Sequence, residues 1–212
     1  MVCVGVGYGW LGAAQRYRRR ALGVAAAGAV VAFVSPLCAL TVALFAARSL
    51  HHAVVILLIA PALAVAFASR RMSPWPAFAA LSAALWAWHL PPVYAAAWDS
   101  HAVYWALQLA LLGSGWAFWA AVLRGGDDLA GVLGGATALA ALAAQMGLIG
   151  AILVFAPRVL FVEHLAGADG FGIGALADQQ IAGLVMWVPG MVPLGLAAAW
   201  RIRRGWRAAA AP

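Results

Sequence analysis

The stretch that decides the fold is Asp178-Gln179-Gln180-Ile181-Ala182-Gly183-Leu184-Val185-Met186-Trp187. An acid and two amides open it, and it then runs into an apolar segment ending near Trp200. Such groups are expensive in lipid. They fit only at a membrane interface or facing other protein, so the remaining chain must supply the helices they face.

Composition agrees with that reading. Of 212 residues, 67% are hydrophobic and only 9% charged, and the mean hydropathy is +0.96. A soluble domain of this size has about 45–50% apolar and about 25% charged residues. The excess is too large for a buried core, so the lipid bilayer must solvate most of the surface. The expected class is all-α, a polytopic transmembrane helix bundle. Apolar runs cover residues 21–47, 49–68, 74–98, 101–123, 129–160 and 178–200. At ~1.5 Å per residue, about 20 residues cover the ~30 Å hydrocarbon core, so about six spanning helices are expected. Ser35-Pro36, Pro61 and Pro91-Pro92 mark kinks or breaks. Residues 124–128 read as a tight turn.

Residues 21–207 form one transmembrane domain in this reading. Residues 1–20 precede it as an interfacial segment or a truncated first span. The mildly apolar start before Arg16-Tyr17-Arg18-Arg19-Arg20 is shorter than the ~20 residues a span needs. A signal peptide would place its positive charge first, which is the reverse order.

The net charge of +7 comes from 13 cationic residues, all arginine. In a membrane protein this balance reports orientation, and no nucleic-acid partner is expected. With the N-terminus inside, the inner segments hold Arg16, Arg18, Arg19, Arg20, Arg70, Arg71, Arg124, Arg201, Arg203, Arg204 and Arg207. The outer segments hold only Arg48 and Arg158. Both termini are therefore predicted cytoplasmic. The two cysteines, Cys3 and Cys38, suggest no disulfide framework.

This topology places Asp99, Glu163, Asp169, Asp178 and all five histidines at or near the outer face. His51 and His52 share a first turn but point about 100° apart. For His51 an interfacial polar role is preferred; for His52 that role and metal ligation stand level. His89 either satisfies carbonyls freed by Pro91-Pro92 or faces a cavity. His101 follows Ser100, an expected N-cap. His164 falls in a polar loop and is expected to be solvated. Gln145, mid-span, is expected to bond between helices. Cys38 and Met146 are soft donors which, with imidazoles, would suit Cu(I), although a core methionine is more often filler. Gln179, Gly183, Met186 and Gly190 share one helical stripe, a packing seam with small residues. There is no phosphate-binding glycine loop, no HExxH and no catalytic carboxylate pair. The chain does not read as an enzyme.

Specific blocks resemble one family. They are Ser35-Pro36-Leu37, Phe45 through His52, Ala60-Pro61, Trp88-His89-Leu90-Pro91 with Tyr94, His101, and Phe118-Trp119. Further along come Gly147 through Phe155, Asp178-Gln179-Gln180, Ala182-Gly183 and Met186-Trp187-Val188-Pro189-Gly190. Together they are similar to the polytopic CtaG-type cytochrome c oxidase assembly factors. The resemblance implies a multi-pass protein of the bacterial inner (plasma) membrane that helps make active haem–copper oxidase. It implies help with copper delivery at the outer face and nascent cytochrome c oxidase subunits as partners. His52, His89, His101 and Asp178 match polar positions of the family pattern and form the candidate copper set, with Cys38 and Met146 as further donors. The family usually has a histidine four residues before the His52 position, where this chain has Arg48, and often one a turn after the His101 position, where it has Trp105. It also commonly has an additional N-terminal span, whose end Tyr8 to Arg20 resembles. Two other readings compete: a haem-binding membrane electron carrier, and a metal-ion transporter. The second ranks last because the inner half carries few polar residues.

Overall fold

The computed structural model describes residues 4–67 and 73–210, with side chains from Gln15 onward. Cys3, Arg70 and Arg71 lie outside the described residues. Helices follow one another: α1 (Val4–Phe33), α2 (Pro36–Ala43), α3 (Phe45–Val54), a π turn (Val55–Ile59), α4 (Ala60–Ala66), α5 (Pro74–Trp88) and α6 (Pro91–Asp99). Then come α7 (His101–Arg124), α8 (Leu129–Phe155), a 3₁₀ turn (Val162–His164), α9 (Leu165–Gly170) and α10 (Ala175–Ala209). Among the described residues there is no strand. The all-α class holds.

Phe45–Ala66, His101–Arg124, Leu129–Phe155 and Ala175–Ala209 are each long and apolar enough to cross a membrane. The pair Gln15–Phe33 and Pro36–Ala43, bent by 42°, makes a fifth if it counts as one span. The expected number was about six. The difference lies in the third apolar run, which divides at Leu90 into helices of 15 and 9 residues. α1 is continuous through the exposed arginine cluster.

The breaks follow from proline chemistry. Pro36 has no N–H for the carbonyl of Ala32, four residues back. Ser35 caps α2, its Oγ accepting from Leu37 N at 3.1 Å. Before Pro61 the helix widens into a π turn, in which Ala60 N–H reaches back to Val55 O. The next bond in that register would join Pro61 to Ile56 O, and proline cannot make it. Trp119 Nε1 donates to Ile56 O instead, at 2.7 Å.

α8 and α10 form the most extensive helix pair. The stripe expected from spacing is their seam: Gln179, Gly183, Met186 and Gly190 are all buried. A Cβ on Gly150 would come within 2.7 Å of Gly183 O, and one on Gly183 within 2.9 Å of the Leu153 side chain. Gly190 faces Met146 Cε across the same seam. Gln145 accepts from Trp86 Nε1 at 2.8 Å, the interhelical bond expected of it.

The two ends of the bundle differ. At one, Arg18 lies over Phe67, and Leu123 lines the same groove as Tyr17 and Arg20. Arg201 is fully buried there and closes the α7–α8 turn, donating to Gly126 O at 2.7 Å and Gly131 O at 3.0 Å. It also reaches Asp127, which Arg204 holds at 2.8 Å. At the other end the histidines gather around the start of α3.

That start depends on α10. Leu44 is extended and provides no side-chain cap. Asp178 supplies it from across the bundle: Phe45 N donates to Oδ2 at 2.6 Å and Ala46 N to Oδ1 at 3.1 Å. Asp178 is 1% exposed and serves as a buried helix cap. Its neighbour Gln179 accepts from Leu160 N at 2.7 Å and donates to Arg158 O at 3.3 Å, fixing the chain after α8.

Two substitutions test this packing. Asp178→Ala leaves the buried Phe45 N–H and the half-buried Ala46 N–H bare and is expected to lower unfolding stability in detergent by about 2–4 kcal/mol. An unchanged denaturation curve would contradict the cap. Gly183→Ala is expected to cost about 1–3 kcal/mol through overpacking, whereas Gly195→Ala, which meets nothing within 4 Å, should be neutral or mildly stabilising. Equal effects at the two glycines would contradict the seam.

Candidate functional site

The histidine end holds imidazoles in different states, and each state follows from its surroundings. A carbonyl only accepts, so a ring nitrogen bonded to one carries the proton. His51 Nδ1 donates to Ala32 O at 3.0 Å, the carbonyl that Pro36 leaves free. Its Nε2 then accepts from Gln108 Nε2 at 3.1 Å. Both nitrogens are committed, and His51 is structural.

His89 caps the C-terminus of α5. Its backbone N–H tightens onto Trp86 O, leaving Leu85 O without its α-helical partner. The His89 side chain supplies it, Nδ1 donating to Leu85 O at 2.7 Å. This fixes the tautomer and leaves Nε2 as a free lone pair.

His52 is different. It is 2% exposed, and neither ring nitrogen has a hydrogen-bond partner. It is surrounded by rings: Trp88 at 4.6 Å, His51 at 5.8 Å and His89 at 6.1 Å between centroids. A buried polar group without a partner costs about 1–3 kcal/mol. His52 and His89 are therefore adjacent imidazoles with nitrogen lone pairs to offer.

The other candidates lie elsewhere. His101 is exposed in the first turn of α7, which Ser100 caps as expected, Oγ accepting from Val103 N at 3.4 Å. With half-buried Cys38 it lines a pocket between α2, α3, α6 and α7. Asp178 is committed to the α3 backbone. Met146 is buried in the α8–α10 seam against Gly190. Among the described residues no three His, Cys, Asp or Glu side chains gather closely enough to hold a metal ion. The six candidates thus separate into the His52–His89 pair, the Cys38–His101 pocket and two packing positions.

His164 corrects the expectation of a solvated loop residue. It is 1% exposed, its Nε2 lies 2.6 Å from the Tyr94 hydroxyl, and its ring contacts Phe45 and Trp98. Burial pushes its pKa below the ordinary imidazole range. The loop sequence is polar, but α9 folds it back onto the bundle. Gly167 sits so close to the Ala43 backbone that a Cβ there would collide with it.

Arg48, where the resemblance leads one to expect histidine, is 5% exposed. Its guanidinium lies over Trp88 at 5.7 Å and Tyr104 at 5.4 Å, and Nη1 donates to Tyr104 OH at 3.3 Å. Gln108 Nε2 donates to the same hydroxyl at 3.1 Å, joining Arg48, Tyr104, Gln108 and His51 in one network.

No curated protein and no solved structure matches the chain. One family model does: that of the cytochrome c oxidase caa3 assembly factor, over residues 66–208. That match covers two thirds of the chain, from the end of α4 almost to the end of α10, and includes His89, Gln108 and Asp178 of the histidine end. The chain belongs to the cytochrome c oxidase caa3 assembly factor family (Caa3_CtaG).

Proposed function

We propose that this oxidase assembly factor works at the outer face of the bacterial plasma membrane, with both termini cytoplasmic, and handles copper(I) for a nascent oxidase subunit. Copper is the cargo here, and no bond-making step is assigned to the protein. The observation that carries this reading is His52, a buried imidazole with both nitrogens bare beside the free Nε2 of His89. Imidazole suits copper. A pair of donors, short of a closed cage, suits an ion that must be released. Burial among Trp88 and the neighbouring rings keeps water away from His52, while the half-buried His89 stays nearer the surface. The arginine-rich opposite end supports the orientation, since cationic residues favour the cytoplasmic side.

His51 and His164 would hold no copper, because their nitrogens serve the fold. Cys38 and His101 are accessible from their own pocket and would act, at most, on the route to the pair.

The test is a Cu(I) titration of the purified protein against a chromogenic chelator. Wild-type protein should take copper from the chelator, and His52→Ala/His89→Ala should lose at least ~10-fold in affinity, one good ligand interaction or more. Cys38→Ala should bind as wild type. Undiminished copper binding by the double variant would remove the direct-ligand role. The same sample should show no Soret band; a Soret band would favour the haem-carrier reading.

A further inference from the structure

The pocket beside the histidine pair contains a cation that no anion among the described residues pairs with. It has a volume of about 350 Å³ and is lined by Cys38, Thr41, Arg48, Trp98, His101 and Tyr104, among others. Arg48 is always charged, and 95% of its surface is buried, by its 5% exposure. Its Nε has no hydrogen-bond partner. Among the described residues no carboxylate lies within ion-pair distance of it. Asp178, the acid bonded to the same turn of α3, spends both oxygens on Phe45 N and Ala46 N. Arg48 also sits in the first turn of α3, where the helix dipole favours negative charge and disfavours its own. Its partners Trp88 and Tyr104 orient the guanidinium without neutralising it. By contrast, the buried Arg201 at the other end has Asp127 and three carbonyls.

We infer that this pocket binds a phosphate group, carried by a membrane lipid or free in solution, with Arg48 as its cationic anchor. A guanidinium fork matches phosphate oxygens in geometry and charge. The Tyr104 hydroxyl accepts from Arg48 and Gln108, so its own proton is free to donate. The Thr41 hydroxyl spends its proton on Cys38 O at 2.7 Å, so Arg48 and Tyr104 are the donors available to the phosphate. The flank of the pocket is apolar, formed by Val42, Ala97 and Trp98. Tryptophan and tyrosine at a helix end mark the headgroup level of a bilayer. A phospholipid could place its phosphate on Arg48 and its upper acyl chain along Val42, which is 57% exposed.

The test uses full-length protein in detergent and three probes: phosphatidylglycerol, inorganic phosphate, and diacylglycerol as a phosphate-free lipid. Native mass spectrometry reads lipid retention and calorimetry reads phosphate binding. Wild type should retain phosphatidylglycerol or bind phosphate, and ignore diacylglycerol. Arg48→Gln should weaken that binding at least ~10-fold, the scale of a lost charged hydrogen bond. Val42→Trp, at an exposed position, plugs the mouth without touching the cation and should weaken it similarly, so the test survives a misfolded Arg48 variant. Phosphatidylglycerol retention with no response to inorganic phosphate identifies a lipid source; the reverse identifies free phosphate. Diacylglycerol held as well as phosphatidylglycerol, no binding by wild type, or undiminished binding by both variants would overturn the proposal.

Discussion

The Asp178 carboxylate on the first turn of α3 is the interaction on which the histidine end depends. It places α10 against α3, and α3 carries Arg48, His51 and His52. In hydrocarbon an uncapped helix start has no water to fall back on. The cap must come from protein, and Leu44 cannot supply it. One acid from the far end of the sequence therefore sets the depth at which these three side chains sit. Gln179, next to it, does the same for the loop that brings His164 onto Tyr94.

The same requirement explains most polar residues in the interior. Pro36 and Pro61 each free a carbonyl, and a side chain from another part of the fold takes it up. His51 takes Ala32 O, and Trp119 takes Ile56 O. Where α5 tightens before Pro91, His89 takes Leu85 O. These are backbone repairs, and they account for polarity that could otherwise be mistaken for chemistry. His52 repairs nothing, and among the described residues Arg48 has no counter-charge. The site is thus defined by what remains after the backbone has been satisfied.

Much of the fold was legible in the sequence because its signals are local. Proline positions foretold the breaks at Ser35 and near Leu90. Ser100 foretold a cap, residues 124–128 foretold a turn, and small residues spaced along α10 foretold the seam with α8. The third run misled because hydropathy does not register that a proline pair splits one apolar stretch into two short helices. The pairings across the bundle were not legible, since nothing local ties Asp178 to Phe45 or Arg201 to the glycines of the α7–α8 turn. His164 was misread for the same reason: its loop is polar in sequence, and only the packing of Gly167 on Ala43 buries it. Within the candidate set, topology alone put His52 and His89 at the same face of the membrane as the other histidines, and only the structure brings the two rings together. Sequence could not separate them from Cys38 and His101, which line a different pocket, or from Asp178 and Met146, which hold the structure together.

In the proposed function His52 and His89 supply the ligand atoms, while Met146 belongs to packing and Cys38 to another pocket. X-ray absorption spectroscopy of the Cu(I)-loaded protein tests this most directly. The spectrum should show imidazole nitrogen neighbours and no sulfur, with the imidazole scattering lost when both histidines are replaced. A copper–sulfur scattering path, or imidazole scattering that survives their replacement, would contradict this assignment.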